Sequence, residues 1–187
     1  MESVKKMKSG SEIEIQQISG EFLDEAVEVI EKAWNAMDRK EWFVVDGKEV
    51  YEAYLKRGEA LLYRAYDPVC RKTAGVFLAV LPGNSSENMG RDIGLSETEL
   101  ESVAHMDTAA VLPEYRGRGL QYALMQKAES DLKERGYRTL ICTVHPDNKF
   151  SRENIRRQGY ELAAVKEKYG GFLREIWVRG LTPLQKY

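Results

Sequence analysis

The stretch that most constrains this chain runs from Val111 to Gln121 and reads V-L-P-E-Y-R-G-R-G-L-Q. An apolar run with Met106, Ala109, Ala110, Val111 and Leu112 stops at Pro113, which can neither donate to a β-ladder nor continue a central strand. Two glycines, Gly117 and Gly119, follow, flanked by Arg116 and Arg118. A helical pattern then places Leu120, Ala123, Leu124, Ala128 and Leu132 on one face. Strand, glycine turn and helix form the local architecture of an anion site. Unpaired amides at the helix start point outward, and the helix dipole adds partial positive charge. Glycine lets the backbone approach a phosphate, and two arginines add full charges. The stretch therefore implies a ligand bearing phosphate or pyrophosphate.

Two familiar phosphate patterns do not fit. A Walker loop needs Gly-Lys-Ser/Thr at the helix start, whereas Gly119 is followed by Leu120 and Gln121. A dinucleotide fingerprint needs three glycines and an acidic residue near the end of the next strand. Here the next apolar run, Thr139 to Val144, ends in His145-Pro146. The segment instead resembles the coenzyme A pyrophosphate loop of the GNAT family of N-acetyltransferases, Gln/Arg-x-x-Gly-x-Gly/Ala. Glu114-Tyr115-Arg116-Gly117-Arg118-Gly119 matches both glycines and departs at the first position, where Glu114 stands.

At 187 residues the chain suits one domain with its own core, expected over 12–187 after a polar, flexible lead-in at 1–11. A hydrophobic share of 43% beside 31% charged residues is that of a soluble globular protein. A net charge of -2 and a pI near 5.9 argue against nucleic acid as the main partner. No apolar run reaches the ~20 residues of a membrane span, and the basic first ten residues lack the hydrophobic centre of a secretory signal. Cys70 and Cys142 lie far apart without metal-like spacing, so free thiols in a reducing cytoplasm are expected.

Taken in order, Glu12 to Ile18 reads as a strand. Ser19 is a helix cap before the stripe Phe22, Ala26, Val29, Ile30 and Ala33. Trp34, Met37, Trp42 and Phe43 then sit among charges, mostly as packing between two helices. Asp46 and Glu49 have the spacing of a capping box ahead of Val50, Tyr51, Tyr54 and Leu55, and Gly58 ends that helix. Ala60 to Tyr66 and Thr73 to Leu81 form an antiparallel hairpin. Pro82 to Ser96 has no periodicity and reads as a loop or mobile flap of the kind that carries function. Glu101 to Leu112 is the strand entering the glycine turn. A helix from Leu120 to Arg135 leads to a strand at Thr139 to Val144, which implies a parallel pair. Asp147 or Asn148 caps a helix through Gln158, and Tyr160 to Lys166 and Phe172 to Arg179 close the chain as a hairpin.

The resulting order, β-α-α-β-β-β-α-β-α-β-β in a mixed α/β fold, is similar to that of GNAT proteins, over roughly Glu12 to Arg179. Asn148-x-x-Ser151 and Gly159-Tyr160 stand at family-like distances from the glycine loop. The resemblance implies a splayed parallel strand pair that holds acetyl-CoA. Backbone groups of Ala110, Val111 and Leu112 would bond the pantetheine, and amides from Arg116 through Gly117, Arg118, Gly119 and Leu120 to Gln121 the pyrophosphate. Asn148 and Ser151 would lie near the thiol. It also implies a primary amine as acceptor, small-molecule or peptide.

Acetyl transfer needs a neutral amine, whose ammonium form has a pKa of about 10, and donors for the oxyanion and the leaving thiolate. Asp107 is the leading candidate base, four positions before Val111, where many GNAT sequences carry Glu. His105 shares its strand face and is the second candidate. Many relatives have a tyrosine four residues before the glycine that closes the second short helix, a position held here by Ile155. Tyr169 and Tyr160 are the substitutes, Tyr160 matching a buried aromatic of the family. His105, His145 and Cys142 lack the spacing of metal ligands, and no metal is expected. Arg152 to Arg157 reads as a solvated helix face. A non-catalytic acyl-CoA-binding domain is the competing reading. The oligomeric state stays open, a homodimer being the commonest closed assembly.

Overall fold

The computed structural model describes residues 13–181. The expected lead-in at 1–11 and the first residue of the expected strand, Glu12, lie outside them. In chain order the elements are β1 (Glu14–Ile18), α1 (Leu23–Asn35), α2 (Lys48–Arg57), β2 (Ala60–Asp67), β3 (Lys72–Val80), α3 (Glu97–Leu100), β4 (Val103–Val111), α4 (Leu120–Glu134), β5 (Thr139–Val144), α5 (Lys149–Arg157), β6 (Glu161–Lys168) and β7 (Phe172–Gly180). This is the order expected from periodicity, with the short α3 added. The strands form one seven-stranded mixed sheet in the order β1-β2-β3-β4-β5-β7-β6.

The chain groups into two compact units. The first comprises residues 13–38, 45–78 and 108–128. Here β1 pairs antiparallel with β2 from Glu14↔Tyr66 to Ile18↔Leu62. α1 buries Leu23, Ala26, Val29, Ile30 and Ala33, the repeat of three and four that one helical face requires. Two expected caps are corrected. Ser19 precedes a 3-10 turn at Gly20–Phe22, and its hydroxyl donates to Glu21 Oε1 at 2.7 Å. The N-cap of α2 is Gly47 rather than Asp46, and the Asp46 N–H donates to the Tyr51 hydroxyl at 3.1 Å. α2 does end at Gly58, where the amides of Gly58 and Glu59 close onto the carbonyls of Leu55 and Tyr54.

The second unit comprises residues 39–44, 79–107 and 129–181. β5 pairs antiparallel with β7 along its whole length, from Thr139↔Gly180 to Val144↔Glu175. Met89, Val103, Ile141 and Ile176 form its buried cluster, with Ile93, Leu95, Ala164 and Val178 packed against it. The segment 82–96, expected as a loop or mobile flap, is a loop with structure of its own. It contains a 3-10 turn at Met89–Ile93 and is pinned by the buried Asn88, whose Nδ2 donates to the carbonyls of Gly83 and Leu100. Both the amide and the hydroxyl of Ser96 donate to the Glu99 carboxylate, which starts α3 with a capping box.

Candidate active site

The glycine turn is an exposed loop fixed at both ends. Pro113–Tyr115 form a 3-10 turn, and Tyr115 and Leu120 are buried while the four residues from Arg116 to Gly119 are exposed. The Tyr115 hydroxyl donates to Asp67 Oδ2 at 2.9 Å. Asp67 Oδ1 accepts the amides of Val69 and Cys70, both at 3.0 Å. The Cys70 N–H bond, joined by those from Tyr115 and Val69, holds the Asp67 carboxyl below its usual range despite burial. Gly117 and Gly119 both sit at φ 75°, in the left-handed region, and a Cβ on either would meet no atom within 4 Å. Glycine is needed there for backbone conformation, not for want of space. The loop then runs into the first turn of α4, whose amides have no intrahelical partner.

The flanking charges are committed locally. Arg116 Nη2 donates to the carbonyl of Ala33, near the C-terminal end of α1, at 3.1 Å. Arg118 donates to the Glu114 carbonyl at 3.3 Å and lies over the Tyr115 ring at 4.8 Å. Glu114, the departure from the family loop, pairs with Lys72 Nζ at 2.6 Å. Leu112 is a correction. Its N–H donates to the Ala74 carbonyl and its own carbonyl accepts the Tyr115 N–H, both at 2.9 Å, so its backbone is already paired.

In the second unit, β4 and β5 run parallel with three register positions, Val103↔Thr139, Ala104↔Leu140 and His105↔Ile141. β4 continues past them. On the face that carries odd-numbered residues, Val103 and His105 are buried and Asp107 is exposed. His105 Nε2 accepts the Met89 N–H at 3.0 Å, which places the ring proton on Nδ1. Burial, with Lys168 adding, pushes its pKa down to about 4, so the imidazole is neutral at physiological pH. His105 and Asp107 thus share a face in different environments, one sealed and one open.

The end of β5 meets the closing hairpin. His145 Nδ1 accepts the Asp147 N–H at 3.2 Å, and the ring stacks on Trp42 with centroids 6.3 Å apart. Arg39 lies over Trp42 at 5.3 Å and pairs with Asp147 at 3.6 Å. Tyr169, at the hairpin tip with φ 54°, has its hydroxyl 3.0 Å from Thr143 Oγ1 on β5. Arg174 packs its guanidinium on the rings of Tyr169 and Phe172, and its Nη2 donates to the Glu41 carbonyl at 2.7 Å. Asn148 is the N-cap of α5, its Oδ1 accepting the Ser151 N–H at 3.1 Å. Ile155 and Tyr160 are both buried. Arg152 does not belong to a solvated face as expected. Its Nε lies 2.9 Å from the buried Glu175 carboxylate, and its Nη1 donates to the Pro146 carbonyl at 3.3 Å. Neither Arg152–Glu175 nor Trp42–His145 carries a spacing signal in the sequence. Among the described residues, no three His, Cys, Asp or Glu converge to hold a metal, and no helix is long and apolar enough to cross a membrane.

Comparison with known proteins agrees with this layout. Residues 31–160 match the acetyltransferase (GNAT) family, well over half of the chain. The chain belongs to the GNAT family. An uncharacterized N-acetyltransferase of Methanocaldococcus jannaschii is 27% identical over 168 residues, which cover 87% of this chain and 65% of that protein. The GNAT fold also appears in the ribosomal-protein-S18-alanine N-acetyltransferase of Escherichia coli. That structure superposes with a TM-score of 0.67 at 16% identity, covering 94% of this chain and 99% of its own. Arabidopsis thaliana NAA60, solved with acetyl-CoA, gives 0.69 at 14% identity, covering 90% and 98%. Acetyl-CoA is the cosubstrate that goes with the family.

Proposed function

We propose that this GNAT chain is an acetyl-CoA-dependent N-acetyltransferase that acetylates a primary amine, small-molecule or peptide, by direct attack on the thioester. The observation that carries this reading is the exposed, left-handed Gly117–Gly119 turn, anchored through Tyr115 and leading into α4. Its amides, with those of Arg118, Leu120 and Gln121, are suited to a pyrophosphate. Ala110 and Val111 remain the backbone candidates for the pantetheine, and Asn148 and Ser151 for the thiol end. Asp107 is exposed where its strand face opens, and it takes the proton that the amine loses, directly or through water. The base role falls to Asp107 because the Nε2 lone pair of His105 is held by Met89. The C–N bond forms and the C–S bond breaks, and the thiolate leaves with a proton from the Tyr169 hydroxyl or from water.

One observation favours a second reading, a non-catalytic acyl-CoA-binding domain. Ile155, at the position where many relatives have tyrosine, is a buried core residue. Thiol release measured over a panel of amines separates the two. With Asp107→Asn, turnover is expected to fall roughly 100-fold or more while acetyl-CoA binding by calorimetry is retained. Absence of thiol release by the unmodified protein on every amine would support the binding domain instead.

A further inference from the structure

The strap 39–44 between α1 and α2 belongs to the second unit and is tied there to the closing hairpin and to the end of β5. From β7, Arg174 donates to the Glu41 carbonyl and packs its guanidinium on the Tyr169 ring. The Tyr169 hydroxyl meets Thr143 of β5. Two residues further on, His145 stacks on Trp42, which returns the path to the strap. These contacts close into a ring, and Thr143 lies on the sheet face that carries His105 and Asp107.

One donor in that ring is unused. Trp42 Nε1 is buried and has no hydrogen-bond partner among the described residues, whereas the Trp177 indole donates to Glu175 at 3.0 Å. An indole N–H can only donate, and burying it unpaired is costly, so an acceptor that arrives with a ligand accounts for it. The neighbouring His145 accepts the Asp147 amide on Nδ1, which leaves its ring proton on Nε2 as a second donor. The surrounding charges narrow the ligand. Arg39, Lys40 and Arg174 stand against Glu41 and Asp147, both of which pair with Arg39. Lys166 and Lys168 stand against Asp92 and Asp107, and Arg152 against Glu175. Lys149 and Glu167, adjacent in sequence, add one of each sign. No carboxylate is in surplus to hold a second ammonium group, as a polyamine or an aminoglycoside would require.

We propose that Trp42 selects the acceptor. Its indole N–H takes an acyl oxygen carried on the same carbon as the reacting amine, so the substrate is an α-amine beside a carbonyl group, of a peptide N-terminus or a free amino acid. The inference rests on the acetyl-transfer reading above and narrows its acceptor. The C–N bond forms at the α-nitrogen as the thioester C–S bond breaks, the amine proton passing to Asp107 and the thiol leaving protonated.

Thiol release is measured with alaninamide, leucinamide and phenylalaninamide, and with the same amines lacking the carboxamide: ethylamine, isoamylamine and phenethylamine. At equal concentrations of neutral amine, the amides are expected to show a kcat/KM roughly 10-fold higher, the worth of one hydrogen bond. Trp42→Phe keeps a ring against His145 and removes the donor. It should erase most of that ratio through KM, and in the ligand-free chain it should melt no lower, since an unpaired buried N–H is gone. Trialanine against free alanine separates the two sources. Proton–nitrogen NMR gives a readout without turnover. The Trp42 indole signal should move downfield with alaninamide and stay in place with ethylamine. That shift without thiol release on any amine would sustain the role of Trp42 while the transferase reading fails. Turnover of alkylamines or of Nα-acetyl-lysinamide equal to that of the amides would overturn the inference and leave acetyl transfer standing. So would a ratio indifferent to Trp42→Phe, or, should that variant fail to fold, an indole signal of the unmodified protein that no amide moves.

Discussion

Tyr115 contributes more to the shape of the glycine turn than either arginine beside it. Its ring is buried, and its hydroxyl ends on a carboxylate that also accepts two backbone amides of the β2–β3 turn. A hydrogen bond to a buried charge stabilises a fold by roughly 1.5–3 kcal/mol, more than a neutral one. Tyr115→Phe is therefore expected to lower stability by about 2 kcal/mol in chemical denaturation. It should also weaken acetyl-CoA binding, because the turn loses its anchor. Unchanged stability would mean that water replaces the hydroxyl at Asp67. The glycines of this turn were legible in the sequence, since only a left-handed or closely approached backbone asks for two of them in three positions. The surrounding charges were not. Glu114 read as a defect in a phosphate loop, yet Lys72, 42 positions earlier in the chain, pairs with it. The charge of Arg116, expected beside the phosphates, lies near the end of α1, where its Nη2 donates to the Ala33 carbonyl. Pairings over such separations depend on tertiary placement, which local spacing does not encode.

At the scale of elements, the segment from Pro82 to Ser96 shows what periodicity misses. It has no repeat of two or of 3.6, so it read as a loop. Its order comes from single polar residues instead. Asn88 holds two carbonyls, and Arg91 bonds the carbonyls of Asn84 and Ser85 and the Glu97 carboxylate. The same spacing has opposite outcomes: Ser96 and Glu99 form a capping box, whereas Asp46 and Glu49 form none because Gly47 is the N-cap of α2. The segment also seals His105 by donating the Met89 N–H to its ring. The folded pKa of about 4 lies below the ordinary value near 6.5. Above pH 6.5 both folded and unfolded chains hold the ring neutral, and no pH dependence arises from it. Between 6.5 and 4 the unfolded chain takes a proton that the folded chain refuses, so stability falls as pH falls, by roughly 3 kcal/mol over the interval. Nitrogen-resolved NMR of the imidazole at pH 5.5 should show a neutral ring protonated on Nδ1. An imidazolium signal at that pH would contradict both the burial and the hydrogen bond.

For the whole chain, the succession of strands and helices could be read because each element announces itself locally. Apolar runs joined by a polar turn mark β2 and β3, the 3.6 repeat marks α1 and α4, and glycines mark the ends of α2, α4 and α5. The sheet order could not be read in the same way, since nothing in the sequence of β6 says that it pairs outside β7 and closes one edge. Global stability offers the matching test of function, because a ligand that binds only the folded chain raises it by mass action. At a hundred times its dissociation constant, acetyl-CoA should add about 2.7 kcal/mol. For a chain of this size that is a rise in melting temperature of roughly 5–10 °C. ATP at the same concentration should give little, since it offers phosphates without the pantetheine proposed to bond the backbone of β4. Gly119→Ala sharpens the comparison. The position has φ 75° and open space, so the substitution should cost about 1 kcal/mol of conformational energy without a clash. It should also turn the amides away from the pyrophosphate, shrinking the acetyl-CoA shift by more than the loss of intrinsic stability. A variant that melts lower yet keeps the full acetyl-CoA shift would mean that the glycine turn serves the fold alone. The cosubstrate would then have to be held by groups other than this turn.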